Sequence, residues 1–243
     1  MFDDIIGKSF VFAHNDDDWK AKRKACAHAF YKDRLVFMLE TLKDKTEETF
    51  GKWAAQINSK GSHEVNMATE FSEILARNIV HVSFGEDLCD EKITLKVREG
   101  DEYVPKEMTI KEAIYIIIDQ VCFTFYTNVT NPINWLYPYT EKIFQISSET
   151  KHVKENCLHA RNWIKDYIEK RRAGKRRSSV AAETDILSLM LARPDVFTDE
   201  VIIDELLGFF GAATETTHNV MKTIVTYFTK APESLAKVRS EFD

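Results

Sequence analysis

An acid and several hydroxyls interrupt an apolar stretch late in the chain. Residues 209–220 read FFGAATETTHNV, which places Glu215 between Thr214 and Thr216. A buried carboxylate costs on the order of several kcal/mol unless it is paired, hydrogen-bonded or protonated, and threonine lowers helix propensity. In a helix, Thr216 is spaced to donate its hydroxyl to the carbonyl of Ala212, four residues back. The stretch therefore indicates an acid–alcohol pair with a chemical role.

Small side chains precede the acid. Gly211, Ala212 and Ala213 leave one turn without bulk, so a flat or large molecule can lie against it. Two interpretations are open at this point: a binding site beside the acid–alcohol pair, or a polar break in an otherwise ordinary core helix. The site is favoured, because an acid and three threonines together are a costly choice for a helix that only packs.

Residues 212–217, AATETT, resemble the signature Ala/Gly-Gly-x-Asp/Glu-Thr-Thr/Ser of the cytochrome P-450 superfamily, the haem-thiolate monooxygenases. In that family the segment lies in a long central helix that passes over the distal face of the haem. By resemblance, Thr216 would stabilise bound dioxygen and Glu215 would assist proton delivery. Ala212 and Ala213 would leave room above the porphyrin, although the family usually has Gly at the position of Ala213.

The same resemblance suggests what the neighbouring residues contact. Phe210 and Gly211 would face the substrate, and for Phe210 a core-packing role is an open alternative. The substrate would be a small, lipophilic organic molecule, and the electrons would come from a reductase. Haem is the implied cofactor. The function implied for the parent protein is therefore dioxygen-dependent oxidation of such a substrate.

Two further motifs occur in the family's order. Trp19 and Arg23 match W-x-x-x-R, and residues 229–243 resemble a pattern with P-E-x-x-x-K-V-R-x-E-x-D that follows the central helix. Residues four apart share a helix face, so an indole N–H and a guanidinium can converge on one carboxylate. In the family that carboxylate is a haem propionate. Alone, the pair more often means a tryptophan packed beside a surface arginine.

Two family motifs do not occur between residues 1 and 243, namely E-x-x-R and the F-x-x-G-x-x-x-C-x-G loop that holds the axial cysteine. Cys89 follows Gly85 at the matching spacing, but it precedes the central helix. Cys157 and His159 do not form a four-ligand set, so no metal ligand is predicted. We expect a single incomplete domain, an interior piece that is inactive alone. A non-catalytic helical scaffold or a degenerate family copy is the alternative.

Composition excludes several classes of function. The net charge of −6 gives no reason to expect nucleic acid, and only 8 glycines and 5 prolines favour helices over a turn-rich β fold. The most apolar stretch, residues 113–129, is too short and too polar for a membrane span. We expect this chain to be soluble or cytoplasmic. A full-length eukaryotic-type parent would lie on the cytoplasmic side of the endoplasmic reticulum, with its membrane contact through a segment outside this sequence.

Apolar periodicity predicts a mainly α fold. Thr198 is a suitable N-cap for the longest helix and Gly85 a suitable C-terminal residue for another. Residues 170–177, KRRAGKRR, are interpreted as a cationic helix end and a solvated linker rather than a localisation signal. The predicted helices are 17 to the forties, a stretch that Gly51 interrupts and that ends near 57, 66–83, 109–125, 147–172 and 199–229, with a small hairpin or irregular insertion at 92–107.

Overall fold

The computed structural model describes residues 7–11, 13–130, 132, 148–178 and 185–242. The described residues are mainly helical, with a small two-stranded sheet, so the predicted mainly α class with a hairpin is confirmed. In chain order the elements are α1 (Asp17–Ala27), α2 (Lys32–Lys60), α3 (Met67–Phe84), β1 (Lys92–Glu99), β2 (Glu102–Thr109), α4 (Ile110–Thr130), α5 (Ser148–Arg172), α6 (Ile186–Leu191), α7 (Asp199–Lys230) and α8 (Pro232–Phe242).

The long helix α7 begins and ends close to the predicted residues. The side chain of Thr198 accepts a hydrogen bond from the Val201 N–H at 3.4 Å, which caps the helix. Its first half is buried, with Ile202 and Leu206 fully inaccessible, but in its second half Val220 is 57% exposed. Apolar residues around much of the circumference of α7 predict a helix that runs through a core. This is correct only for its first half, since the described elements do not cover the second half.

The first predicted helix is in fact two. α1 ends at Ala27, and a 3-10 turn over His28–Phe30 leads to an extended Tyr31 (φ −70°, ψ 153°) before α2 begins. The turn buries Ala29 to 2% exposure, and this packing redirects the chain. A helical period alone does not reveal such a break, because both helices keep the same spacing of apolar residues.

Gly51 does not interrupt α2, contrary to the prediction. A glycine inside a helix costs about 1 kcal/mol relative to alanine, which a helix of 29 residues tolerates. The helix instead ends at Gly61, which has a φ of 77° and donates its N–H to the carbonyl of Ile57. Gly85 ends α3 in the same left-handed conformation, with a φ of 70°, as predicted.

The hairpin β1–β2 is antiparallel, with Lys92 opposite Thr109 and Glu99 opposite Glu102. It is fixed to α5 by the fully buried Asn156. The side-chain oxygen of Asn156 accepts from the Lys96 N–H at 2.7 Å, and its amide donates to the Lys96 carbonyl at 2.8 Å. A single side chain thereby continues the hydrogen bonding of β1 and holds the sheet against the helix.

An aromatic cluster joins α3, α5 and α7 at the end of α3. Phe84 is inaccessible and packs edge-on against Tyr167 (4.6 Å between ring centroids) and Trp163 (5.4 Å). The ring of Phe210 lies 6.1 Å from that of Phe84. These ring contacts hold α7 against α3 and α5. They also fix the position of Phe210, which belongs to the candidate site.

The basic run 170–177 is more than a solvated linker. Arg171 pairs with the buried Asp185 at 3.2 Å and Arg172 with Asp199 at 2.6 Å. Arg176 forms ion pairs with Glu86 and Glu91 at the C-terminal end of α3. These arginines tie α5 to α3, α6 and α7, so the sequence interpretation missed their structural role.

Candidate functional site

A cavity of about 400 Å³ lies between the hairpin, α4, α5 and α7. Its walls are largely aliphatic and aromatic, with Ile117 from α4, Ile164 from α5 and Leu207 from α7 among them. α7 contributes the predicted site residues Phe210, Gly211, Ala212, Glu215 and Thr216. The helix thus brings five of the eight predicted residues to one cavity.

The threonine hydroxyls bond within the helix, as the spacing predicts. Thr216 Oγ1 donates to the carbonyl oxygen of Ala212 at 2.8 Å, and the buried Thr214 donates to that of Phe210 at 2.6 Å. Thr216 is exposed, so the lone pairs of its oxygen remain accessible at the cavity. The hydroxyl can therefore accept a hydrogen bond from a molecule bound there.

Glu215 is the one acidic or basic side chain among the described residues that line this cavity. Its Oε1 accepts a hydrogen bond of 2.6 Å from the side-chain amide of Asn219, one turn later, and the same amide reaches the Glu215 carbonyl at 3.0 Å. Asn219 thereby limits the rotamers of the carboxylate. An acid of fixed position beside an accessible hydroxyl can hold and pass a proton.

Ala213 does not line the cavity. It is half-buried and packs against the hydrophobic core on another side of α7. Ala212, in contrast, is exposed and borders the cavity.

Trp19 and Arg23 are neighbours on α1, away from the residues that line the cavity. The Trp19 indole N–H donates to the carbonyl oxygen of Phe10 at 3.0 Å, and the guanidinium of Arg23 lies 5.2 Å from the centre of the indole ring. The pair is therefore stacked, with Arg23 exposed to solvent. In this structure the two donors do not point to one carboxylate.

The cysteines do not resemble metal-binding thiolates. Cys26, Cys89 and Cys157 are buried, and burial raises the pKa of each thiol, to about 12 for Cys26 and Cys157. Cys122 borders the cavity, and burial together with the charge of Glu215 raises its pKa. Among the described residues no group of three or more His, Cys, Asp or Glu side chains is arranged to hold a metal ion.

The face of α7 that carries Gly211 and Ala212 has room for a flat prosthetic group. A Cβ added to Gly211 would meet no atom within 4 Å, so the small residues face open space beside the cavity. Ala212 and Thr216, on the same face, are exposed. A planar molecule can approach the helix backbone here without displacing any described side chain.

Sequence reasoning missed a buried acid. Glu205 on α7 is inaccessible to solvent, and its carboxylate accepts from the hydroxyl of Ser9 at 2.8 Å and from the Phe10 N–H. Burial raises its pKa to about 7, although Lys22, at 3.9 Å, acts in the opposite direction. The sequence signal that could have identified it is the position of Glu205 beside Leu206, on the apolar stripe of the helix.

The mainly α fold, with an acid–alcohol pair beside an apolar cavity, is accompanied by a family match along almost the whole chain. The model of the cytochrome P-450 family matches residues 2–243. The (+)-piperitol/(+)-sesamin synthase of Sesamum radiatum is 24% identical over 240 residues, which are 97% of this chain and 43% of that protein. The steroid 17-alpha-hydroxylase/17,20 lyase of Rattus norvegicus is 25% identical over 248 residues, 98% of this chain and 44% of that protein.

The fold agrees with these sequences. A crystal structure of a mutant cytochrome P-450 haem domain superposes with a TM-score of 0.67 at 16% identity, covering 98% of this chain and 46% of that one. The chain therefore belongs to the cytochrome P-450 family. It spans less than half the length of these relatives. None of the helices in the described part of the chain has the length and apolarity to cross a membrane.

Proposed function

We propose that this chain forms the distal, substrate-facing side of a haem-dependent monooxygenase. The observation that carries the proposal is the convergence of Phe210, Gly211, Ala212, Glu215 and Thr216 on one apolar cavity. The fit of a flat group against Gly211 and Ala212 supports it as well. Bound haem would supply the iron at which dioxygen is reduced, with electrons from a reductase.

The residues of α7 have distinct tasks in this proposal. Thr216 gives its hydrogen to the carbonyl of Ala212, and its hydroxyl oxygen, which stays accessible, accepts a hydrogen bond from a water at the cavity. Glu215, fixed by Asn219, accepts a proton during turnover and passes it on to that position. Phe210 and the aliphatic walls exclude bulk water, so that protons reach the reacting atoms through these side chains.

The substrate in this proposal is a neutral lipophilic molecule. The cavity of about 400 Å³ suits a small organic compound, and none of the described residues that line it has a cationic side chain to pair with an anion. The carboxylate of Glu215 would repel an anionic substrate in these low-polarity surroundings. Specificity therefore comes from shape and apolar contact.

No cysteine of this chain is the axial ligand in this proposal. The support is the resemblance: the loop that holds the axial cysteine in the family does not occur between residues 1 and 243. Catalysis then requires an axial thiolate from sequence beyond these residues, and this chain by itself is inactive. We also propose that the parent lies on the cytoplasmic side of the endoplasmic reticulum, where a reductase supplies it.

Ligand binding by the 243-residue chain tests the cavity. Trp163 lines it, so a bound molecule should change the tryptophan fluorescence. We expect dodecanol to bind at least about tenfold more tightly than dodecanoate, a difference of about 1.4 kcal/mol. Gly211→Leu should weaken dodecanol binding, because its side chain enters open space at the cavity. Gly51→Leu, equally free of neighbours but on α2, is the matched control.

Activity is tested on the complete in-frame product that contains these residues. After reconstitution with haem and a reductase, Thr216→Ala should lower the product formed per electron pair and raise hydrogen peroxide release. Thr217→Ala changes the adjacent hydroxyl, which does not line the cavity, and should leave both values near wild type. Equal behaviour of the two variants would contradict the role of Thr216. In the ligand-binding test, equal affinities for dodecanol and dodecanoate would favour a non-catalytic scaffold.

A further inference from the structure

A second, much smaller cavity lies on the other side of Glu215. It has a volume of about 10 Å³ and is enclosed by α3, α4 and α7. Its polar lining consists of Ser72, Tyr115, Thr214, Glu215 and His218. This volume is that of about one water-sized sphere. Glu215 borders both this cavity and the large one, together with Ile114 and Ile118.

His218 has a defined tautomer. Its Nδ1 lies 3.3 Å from the hydroxyl oxygen of Ser72, and Ser72 donates its own hydrogen to the carbonyl oxygen of Ala68 at 2.9 Å. A hydroxyl has one hydrogen to give, so with that hydrogen on the Ala68 carbonyl the Ser72 oxygen accepts from Nδ1–H, and we assign this tautomer to His218. In the neutral imidazole Nε2 is then an acceptor with a free lone pair.

The Nε2 atom of His218 is a buried acceptor in need of a donor. The residue is 5% exposed, and Nε2 has no hydrogen-bond partner among the described residues. A buried polar atom left without a partner is unfavourable, and most such atoms in folded proteins are satisfied by protein or by ordered water. The adjoining cavity has the volume and the polar lining that a water requires.

The surroundings keep His218 uncharged at neutral pH. Burial and the charge of Lys222 lower its pKa, while the carboxylate of Glu215 acts in the opposite direction. α3 faces the imidazole with the neutral Ser72, and α4 faces it with Tyr115, whose ring centroid lies 6.1 Å away. Glu215 is thus the one group at the small cavity that draws a proton towards His218.

We propose that one water molecule occupies the small cavity, hydrogen-bonded to Nε2 of His218 and to the carboxylate of Glu215, and that His218 is the positioning residue through which Glu215 regains its proton. A proton from solvent reaches Nε2 of His218 through the water in the small cavity, because Nδ1 keeps its hydrogen on Ser72 throughout. Nε2–H then gives its proton to the water, and the water gives one of its own to the carboxylate. At the end of the transfer the histidine and the carboxyl group are both neutral, and no electron has moved. The use of this proton in catalysis rests on the proposed function.

The pathway approaches Glu215 from the side away from the substrate. Protons can then return to the acid without bulk water entering the apolar cavity. Ser72, which is half-buried, lies at the outer end of this arrangement. In this proposal the large cavity binds the substrate and the small cavity returns protons to Glu215.

Nitrogen-15 histidine spectra of the 243-residue chain test the water site without haem or turnover. His218→Gln assigns the resonances, and the exposed His63 is an internal reference. In the wild type we expect Nδ1–H, an unprotonated Nε2, and a cross-peak from a long-lived water to the His218 ring. Ser72→Ala removes the acceptor for Nδ1–H and should move the proton to Nε2 in a measurable fraction.

Two further variants test the coupling between the two groups. Glu215→Gln should lower the pKa of His218 further, because the carboxylate that raises it is gone. Ala76→Val adds methyl groups to the wall of the small cavity and should remove the water cross-peak. Absence of that cross-peak in the wild type, an Nε2–H tautomer, or an unchanged pKa in Glu215→Gln would each overturn the proposal.

These readouts separate failure of this inference from failure of the proposed function. If the water and the coupling are found while the reconstituted parent forms no oxidised product, the monooxygenase role fails and the water site stands. If the parent forms product but the water or the coupling is absent, the proton relay fails and the enzyme proposal stands. In an active parent, His218→Gln should lower kcat with little change in KM, and should flatten its pH profile.

Discussion

Glu205 gives the sharpest stability prediction. It is fully buried in α7, where its carboxylate fixes residues 7–11 through Ser9 and the Phe10 N–H. Burial outweighs these hydrogen bonds and the nearby Lys22, and it raises the pKa from 4.5 to about 7. The folded state therefore binds a proton at pH 6 that the unfolded chain releases.

The sign and size of the effect follow from linkage. Because the folded pKa is above the unfolded one, the stabilisation is fully present below pH 4.5 and is lost as the pH rises through 7. Each pKa unit corresponds to about 1.4 kcal/mol, which gives a loss of roughly 3 kcal/mol for this group between about pH 4.5 and pH 8. Glu205→Gln keeps the size and one acceptor oxygen but cannot ionise.

Urea unfolding followed by circular dichroism at several pH values measures this difference. The free energy of unfolding of the wild type, minus that of Glu205→Gln, should fall by roughly 3 kcal/mol from pH 4.5 to pH 8. Glu64→Gln, at an exposed position between α2 and α3, should give a nearly constant difference. A difference that stays constant or rises with pH for Glu205→Gln would refute the argument that burial dominates.

Three other substitutions follow from local packing, each checked by urea unfolding. Gly208→Ala should destabilise by about 1–3 kcal/mol, because a Cβ there would lie 2.2 Å from Ser9 Oγ. Gly211→Ala meets no neighbour and should stabilise α7 by up to about 1 kcal/mol. Asn156→Ala should cost about 3 kcal/mol and speed hydrogen exchange at Lys96, its backbone partner. The reverse order of the two glycine variants would contradict the contact at Ser9.

Local patterns predicted most of the secondary structure. The alternation Ile93, Leu95, Val97 indicated β1, where Leu95 is fully buried. Thr198 and Gly85 predicted helix ends, since capping depends on residues next to one another in sequence. These features need no tertiary information, and the structure confirms them.

Features that depend on distant residues were not predicted. The break after Ala27 depends on burial of Ala29 in the core, and the arrangement of Arg171 and Arg176 depends on acids more than ten residues away. The proton position on His218 is set by Ser72, which lies 146 residues earlier in the chain. Spacing along one helix carries no information about such partners.

The placement of Glu215 between two cavities does follow from the sequence once α7 is known to be a helix. At about 100° per residue, Ala212 and Thr216 lie within about 40° of each other. His218 lies about 120° from Ala212 in the opposite rotational direction, and Glu215 falls about midway, near 60°. An acid at this midway position can border both faces, which accounts for the contact of Glu215 with both cavities. Glu215→Asp, shorter by one methylene, should weaken contact with both cavities at once.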